Sequence, residues 1–327
     1  MQIAVAGSIA TDHLMTFPGR FAEQLIADQL DRVSLSFLAD HLEVRRGGVA
    51  ANIACGLGRL GLRPVLVGAA GADFADYAAR LTADGVDTSA VRISETLHTA
   101  RFVCTTDTDQ NQLATFYSGA MVEARSIDLA ALTRRVGGLD LVLVGADDPE
   151  AMLQHTAAVK AEGIAFAADP SQQLARLTRE QSRCLADGAH VLFTNEYEAA
   201  LLQERTGWRT ADVLERVGTW VTTLGAGGVA LARAGEAPLH VPAVPTGHIA
   251  DPTGAGDAFR AGFLAGTAWQ SPPRRAAQLG CAMATFALES IGTQEYKLLP
   301  SELLERIAGA YGPGPASELA PRLESAS

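Results

Sequence analysis

The sequence predicts an α/β fold: a mostly parallel central sheet with helices on both faces, plus a small β-sheet lid inserted twice. Three observations predict it. From residue 139 onward, short apolar runs alternate with helical stretches. Before that, two regions (31–47 and 99–117) break the rhythm with apolar residues at every second position. Finally, polar or glycine-rich signals fall at the predicted strand ends, where open α/β sheets bind ligands.

Taken in order, residues 3–9 form a buried strand that ends at Ser8-Ile9-Ala10-Thr11-Asp12. Val33, Leu35, Phe37, Leu42 and Val44 then alternate with polar residues, the mark of half-exposed antiparallel strands. Gly47-Gly48 precedes a helix over 50–60. A strand at 64–69 leads to a helix through Tyr77 and Leu81. Alternation returns over 99–106 (Ala100, Phe102, Cys104) and 112–117. Strands at 139–145, 164–168, 190–194, 220–223 and 228–232 follow. The helices of this half cover 149–161, 178–187, 196–206, 257–268 and 273–289. The large domain therefore comprises 1–30, 48–97 and 118–327, and the lid 31–47 and 98–117. The Pro-, Ala- and Ser-rich stretch 313–327 reads as a mobile tail.

Composition limits the function. The 327 residues suffice for one large α/β domain or two smaller ones, and 48% are hydrophobic, ample for a core. A net charge of −11 argues against nucleic acid or an anionic membrane as partner. The four cysteines form no C-x-x-C pair and the seven histidines show no metal-ligand spacing. The amino-terminal apolar run is too short for a signal peptide, and none is long enough for a transmembrane helix. A cytoplasmic protein is expected.

Asp251-Pro252-Thr253-Gly254-Ala255-Gly256-Asp257 carries the chemistry. Gly254, Ala255 and Gly256 let the backbone approach a ligand. The following helix aims free N–H groups at an anion such as phosphate. Asp257 is placed to take a proton beside it, so the loop reads as a phosphoryl-transfer site. A structural turn is the competing reading of an isolated T-G-A-G. Gly47-Gly48 reads either as a hinge or as close backbone approach to a small substrate, with Asn52 offering its amide.

Arg46-Gly47-Gly48-Val49-Ala50-Ala51-Asn52-Ile53-Ala54, with Gly61 and Gly71, resembles the amino-terminal signature of the ribokinase (PfkB) family of carbohydrate and nucleoside kinases. The stretch 251–264, DPTGAGDAFRAGFL, resembles its carboxy-terminal signature. The resemblance covers nearly the whole chain and implies a ribokinase-like fold. It implies transfer of the ATP γ-phosphoryl group to a primary hydroxyl, with Asp257 as general base and the amides of Gly254, Ala255, Gly256 and Asp257 as anion hole. Asn195-Glu196-Tyr197-Glu198 is similar to the family's N-x-x-E motif. It implies that Glu198 orients Mg²⁺ through water and that Asn195 lies near the nucleotide phosphates. On residue type alone, Glu198 reads as a solvated helix acid. The 222–228 segment resembles the nucleotide loop, so Thr223, Gly225 and Gly228 are expected at ATP, together with Gly256. Members often require a monovalent cation such as K⁺, which here implies oxygens of Asp251, Thr253 and the 287–292 segment.

Within the family, 7–14, 17–21, 99–102 and 168–175 resemble the bacterial adenosine kinases. That implies phosphorylation of the adenosine 5′-hydroxyl to AMP, with a ribose- or fructose-type sugar kinase as the alternative. Asp12 is expected to accept the ribose hydroxyls, helped by Ser8, Gly48 and Asn52, because a carboxylate suits a vicinal diol. Phe102 and Phe116 fall on lid strands and can sandwich a purine; lid-packing or dimer-interface residues are the competing reading. Gln172 and Gln173 are expected to read the base edge or to cap the next helix, and Gln112 to reach the substrate. A lid of half-exposed strands has an open apolar face, so a homodimer through the lids is expected.

Overall fold

The computed structural model describes residues 1–25, 31, 32 and 34–324. Thirteen strands are described: β1 (Ile3–Ala6), β2 (Ala10–Thr16), β3 (His41–Gly47), β4 (Val65–Ala70), β5 (Val91–Ile93), β6 (Ala100–Thr106), β7 (Gln112–Tyr117), β8 (Leu141–Gly145), β9 (Ala165–Asp169), β10 (Val191–Asn195), β11 (Thr219–Thr223), β12 (Val229–Ala232) and β13 (Leu239–Val241). Nine of them form one sheet in the order β13-β12-β11-β10-β9-β8-β1-β4-β5. Pairing is parallel except where β12 meets β11 and β13. The central strands are apolar throughout because both faces are covered, as the all-buried patterns of β1, β4 and β8 require. One core lies on each face: Ile53, Leu57, Phe259 and Leu279 on one, Leu132, Met152, Leu174 and Leu202 on the other.

From β1 the chain proceeds outward to β4 and β5, then returns to β8 on the other side of β1. This reversal opens a crevice beyond the carboxyl ends of β1 and β8. The helix Val49–Arg59 enters it from the lid side, and the helix Ala255–Ala268 packs against that helix.

The small sheet is separate, in the order β3-β2-β6-β7. It contains one strand that the periodicity did not indicate. Residues 10–16 leave the large sheet and become an inner strand of the lid, between β3 and β6, so the lid takes in part of the 1–30 segment. Of the strands expected over 31–47, only His41–Gly47 forms; 34–40 have no strand, and Val33 lies outside the described residues. The carboxy-terminal stretch is not a tail over 313–324. It forms the helix Pro313–Glu324, with Leu319 and Leu323 buried in the core.

Candidate active site

The carboxy-terminal signature folds as expected. Gly254 caps the helix Ala255–Ala268 at φ +79, and a Cβ there would meet Thr293 at 2.8 Å. The helix start leaves its first amides without intrahelical acceptors. Ala255 spends its N–H on the Pro252 carbonyl at 3.4 Å. Those of Gly256 and Asp257 have no acceptor among the described residues. Gly256 is tight as well: a Cβ would lie 2.8 Å from Arg260 Nη1.

Asp257 stands in the first turn, half-buried. Its Oδ2 accepts from Asn52 Nδ2 at 2.8 Å. Burial pushes its carboxyl up to about 7, Arg260 and Asn52 pull it down, and Asp169 and Glu198 push it up again. A carboxyl in that range suits a general base at neutral pH. Arg260 is buried and pairs with Asp169 Oδ1 at 2.6 Å, an oxygen that also accepts from Ser171 Oγ.

Asn52 is fixed by a chain of buried groups that local sequence patterns did not reveal. Its Oδ1 accepts from Thr293 Oγ1 at 2.9 Å and Gln294 Nε2 at 2.7 Å. Gln294 Nε2 also donates to Tyr77 Oη, and Tyr77 Oη donates to the Gly47 carbonyl. With its oxygen held on one side, Asn52 can only turn its NH₂ toward Asp257.

A cavity of about 600 Å³ opens beside this helix, within the range of small-molecule sites. Gly254, Gly256, Asp257 and Arg260 line one side. Asn195, Glu198, Thr223 and Gly225 complete the lining, with Glu198 Oε2 4.0 Å from Arg260 Nη2. Asn195 and Glu198 form a capping box: Asn195 Oδ1 accepts the Glu198 amide and Glu198 Oε2 accepts the Asn195 amide, both at 2.8 Å. Burial and the charge of Asp169 raise the Glu198 carboxyl above its ordinary value. Its second oxygen remains for a ligand, a donor that fits a hydrated Mg²⁺. Gly228 is not part of the lining. It is buried at φ +92, where a Cβ would strike the Val241 carbonyl at 2.2 Å, so its glycine is demanded by the strand turn rather than by ATP.

The residues expected to hold the acceptor gather at the Gly47-Gly48 turn. Gly48 at φ +97 approaches the Ser8 carbonyl so closely that a Cβ would come to 2.6 Å. Ser8 Oγ accepts the Val49 amide at 3.0 Å, so this serine clamps the turn. The carboxylate of Asp12 lies directly over Gly47, whose Cβ would be 3.0 Å from Asp12 Oδ2. Burial pushes Asp12 up to about 6, against the pull of Arg45. Register puts Arg45, Asp12, Phe102 and Phe116 in one row across the lid, hence on one face.

Three sequence expectations do not fit this row. Gln112 pairs with Thr106 at the far end of β7, about 13 Å along the strand from Phe116. Gln173 is buried; its Nε2 donates to the Asp147 carbonyl at 2.7 Å and its Oε1 is enclosed, so it anchors its loop rather than facing the lid. Gln172 is exposed but lines the cavity with Asn195 and Asp257.

Comparison with known proteins identifies the fold and the family. The model of the pfkB family carbohydrate kinases matches residues 9–300. Burkholderia thailandensis nucleoside kinase in complex with inosine superposes with a TM-score of 0.82 at 32% identity, over 95% of this chain and 98% of that one. Its complex with ADP-inosine gives a TM-score of 0.79 at 33% identity, over 95% and 96%. The nucleoside kinase of Methanocaldococcus jannaschii is 29% identical over 266 residues, 80% of this chain and 85% of that protein. The chain belongs to the pfkB family and is a kinase, an ATP-dependent phosphotransferase.

Proposed function

We propose that the protein is a nucleoside kinase that transfers the γ-phosphoryl group of ATP to the nucleoside 5′-hydroxyl, converting adenosine to AMP, with Asp257 as general base. One observation carries the reading. Asp257 is bonded to Asn52 at a free helix N-terminus, while Asp12 lies across Gly47 on the same crevice. A ribose held at Asp12 by its vicinal hydroxyls can direct its 5′-hydroxyl toward Asp257. The amides of Gly256 and Asp257 then receive the charge that develops on the moving phosphoryl group. Asn195, Thr223 and Gly225 are the proposed ATP contacts. Mg²⁺ on the ATP phosphates would neutralise their charge, with Glu198 orienting it through water.

Phe102 and Phe116 support a nucleoside over a free sugar. They stand beside Asp12 on its own row, where a base attached to the ribose can stack. The likeness to a nucleoside kinase solved with inosine extends the proposal to inosine. A steady-state panel of adenosine, inosine, ribose and fructose tests it. Turnover of ribose or fructose with none of either nucleoside would refute it.

The proposal includes a homodimer formed through the lids. The lid face away from Asp12 carries Leu42 and Val44, 56% and 55% exposed, and Leu113, 48% exposed. Light scattering after size exclusion checks this; a monomer at micromolar concentration would contradict it. A cytoplasmic setting accords with four free thiols, and no described helix is long and apolar enough to cross a membrane.

A further inference from the structure

The family resemblance leads to a monovalent cation beside the 251–257 loop, held by Asp251, Thr253 and 287–292. The residues present do not fit one. Asp251 Oδ1 accepts the Thr253 amide at 2.9 Å, and Oδ2 accepts the Gly292 amide at 3.1 Å. The same Oδ2 lies 3.5 Å from Nη1 of Arg45. A positive charge already stands against the carboxylate expected to hold the cation.

Arg45 is built into this position. Its side chain is only 14% exposed. Glu43 grips the guanidinium at two points, 2.7 Å to Nε and 2.6 Å to Nη2, which leaves Nη1 directed at Asp251. The arginine stem lies on Gly292, at φ +94, where a Cβ would come within 3.1 Å of Arg45 Cδ. A side chain at 292 would press on it. Burial by itself would raise the Asp251 carboxyl. The amide and hydroxyl of Thr253, the Gly292 amide and Arg45 outweigh that and hold it below its ordinary value, so it is ionised at neutral pH.

An ionised carboxylate at the head of the anion-hole loop opposes the charge that gathers there during phosphoryl transfer. It needs a counter-charge that does not dissociate. A guanidinium keeps its charge at every accessible pH and presents a rigid fork. Glu43 shares that charge, but it is 44% exposed and screened by solvent, whereas Asp251 and Arg45 face each other largely out of water. We propose that Arg45, carried on the lid strand next to Asp12, supplies the fixed positive charge beside Asp251 that a monovalent cation would otherwise supply, so that this kinase works without K⁺. The inference rests on the kinase reading of the site. It also ties the lid to the anion hole, because the residue opposite Arg45 in the sheet is Asp12.

The test compares kcat on adenosine in KCl and in choline chloride at equal ionic strength of about 0.1 M. Turnover in KCl supports the kinase reading whether or not it persists in choline, so failure of one is distinguishable from failure of the other. The wild-type rate is expected to change less than about twofold, and activation by K⁺ of about tenfold or more would overturn the proposal. Arg45→Ala is expected to lose about tenfold or more in choline, the scale of a charge-assisted contact, and to regain rate in K⁺. Its melting temperature should rise in K⁺ relative to choline, while that of the wild type should not. Full activity of Arg45→Ala in choline would overturn the proposal. If Arg45→Ala is inactive in both salts, Arg45→Lys decides: activity in choline supports the charge, and inactivity overturns it.

Discussion

Asn52 Nδ2 donates to Asp257 Oδ2 at 2.8 Å, across 205 residues of sequence. This bond joins the two signature segments into one site. It holds only because Thr293 and Gln294 occupy the amide oxygen of Asn52. The general base is thus oriented by a residue that is itself oriented by a third segment.

Asp257→Asn should keep the fold and ATP binding. Its kcat should fall by roughly 10²–10⁴, the range for a general base. Steady-state kinetics with ATP titration checks this, and near wild-type turnover would remove Asp257 from the mechanism.

The pH profile carries a sign. Asp257 is pushed up to about 7 by burial. A base works deprotonated, so kcat/KM should fall as pH drops below about 7 and level off above it. Asn52→Ala removes a donor that favours the carboxylate, so its acid limb should move to higher pH. A limb that stays in place would assign the titration to another group.

Gln294→Met should act through Asn52. The Tyr77 hydroxyl loses a buried donor, which costs about 1–3 kcal/mol of stability in urea unfolding. A structural role alone predicts only that loss. Positioning predicts in addition an acid limb displaced in the direction of Asn52→Ala, with KM for ATP unchanged.

Arg260→Met leaves Asp169 buried without its partner at 2.6 Å. Breaking such a pair costs about 3–5 kcal/mol. Unfolding of Arg260→Met and of the double variant Asp169→Leu/Arg260→Met compares the two, and the double variant should recover most of the loss.

Phe116→Ala should raise KM for adenosine about tenfold, within the stacking range of about 1–3 kcal/mol per base. KM for ATP should not follow. Equal effects on both would place Phe116 in the lid's packing or in the dimer.

Much of this site was legible because its signals are local. The 254–257 loop, the Gly47-Gly48 turn and the alternation of 100–106 and 112–117 each appear within a few residues. Asn195 and Glu198 are also readable as a capping box, whatever their ligand. Residues 10–16 were not read as a strand because Ala10, Leu14 and Met15 give no period-two alternation. Asp12 consequently read as the end of β1, when it lies mid-strand in the lid. Thr293, Gln294 and Tyr77 left no local trace: each acts through a partner more than 20 residues away. Arg45 was hidden in the same way, since its charge matters only opposite Asp251. Gln173 was misread because its amide meets a backbone carbonyl from another strand end.

The most direct test of the account is ³¹P NMR of the products formed from ATP, Mg²⁺ and adenosine. Adenosine 5′-monophosphate and ADP should appear in equal amounts, and Asp257→Asn should form neither at a comparable rate. Release of inorganic phosphate without AMP, or AMP formation by Asp257→Asn at the wild-type rate, would contradict it.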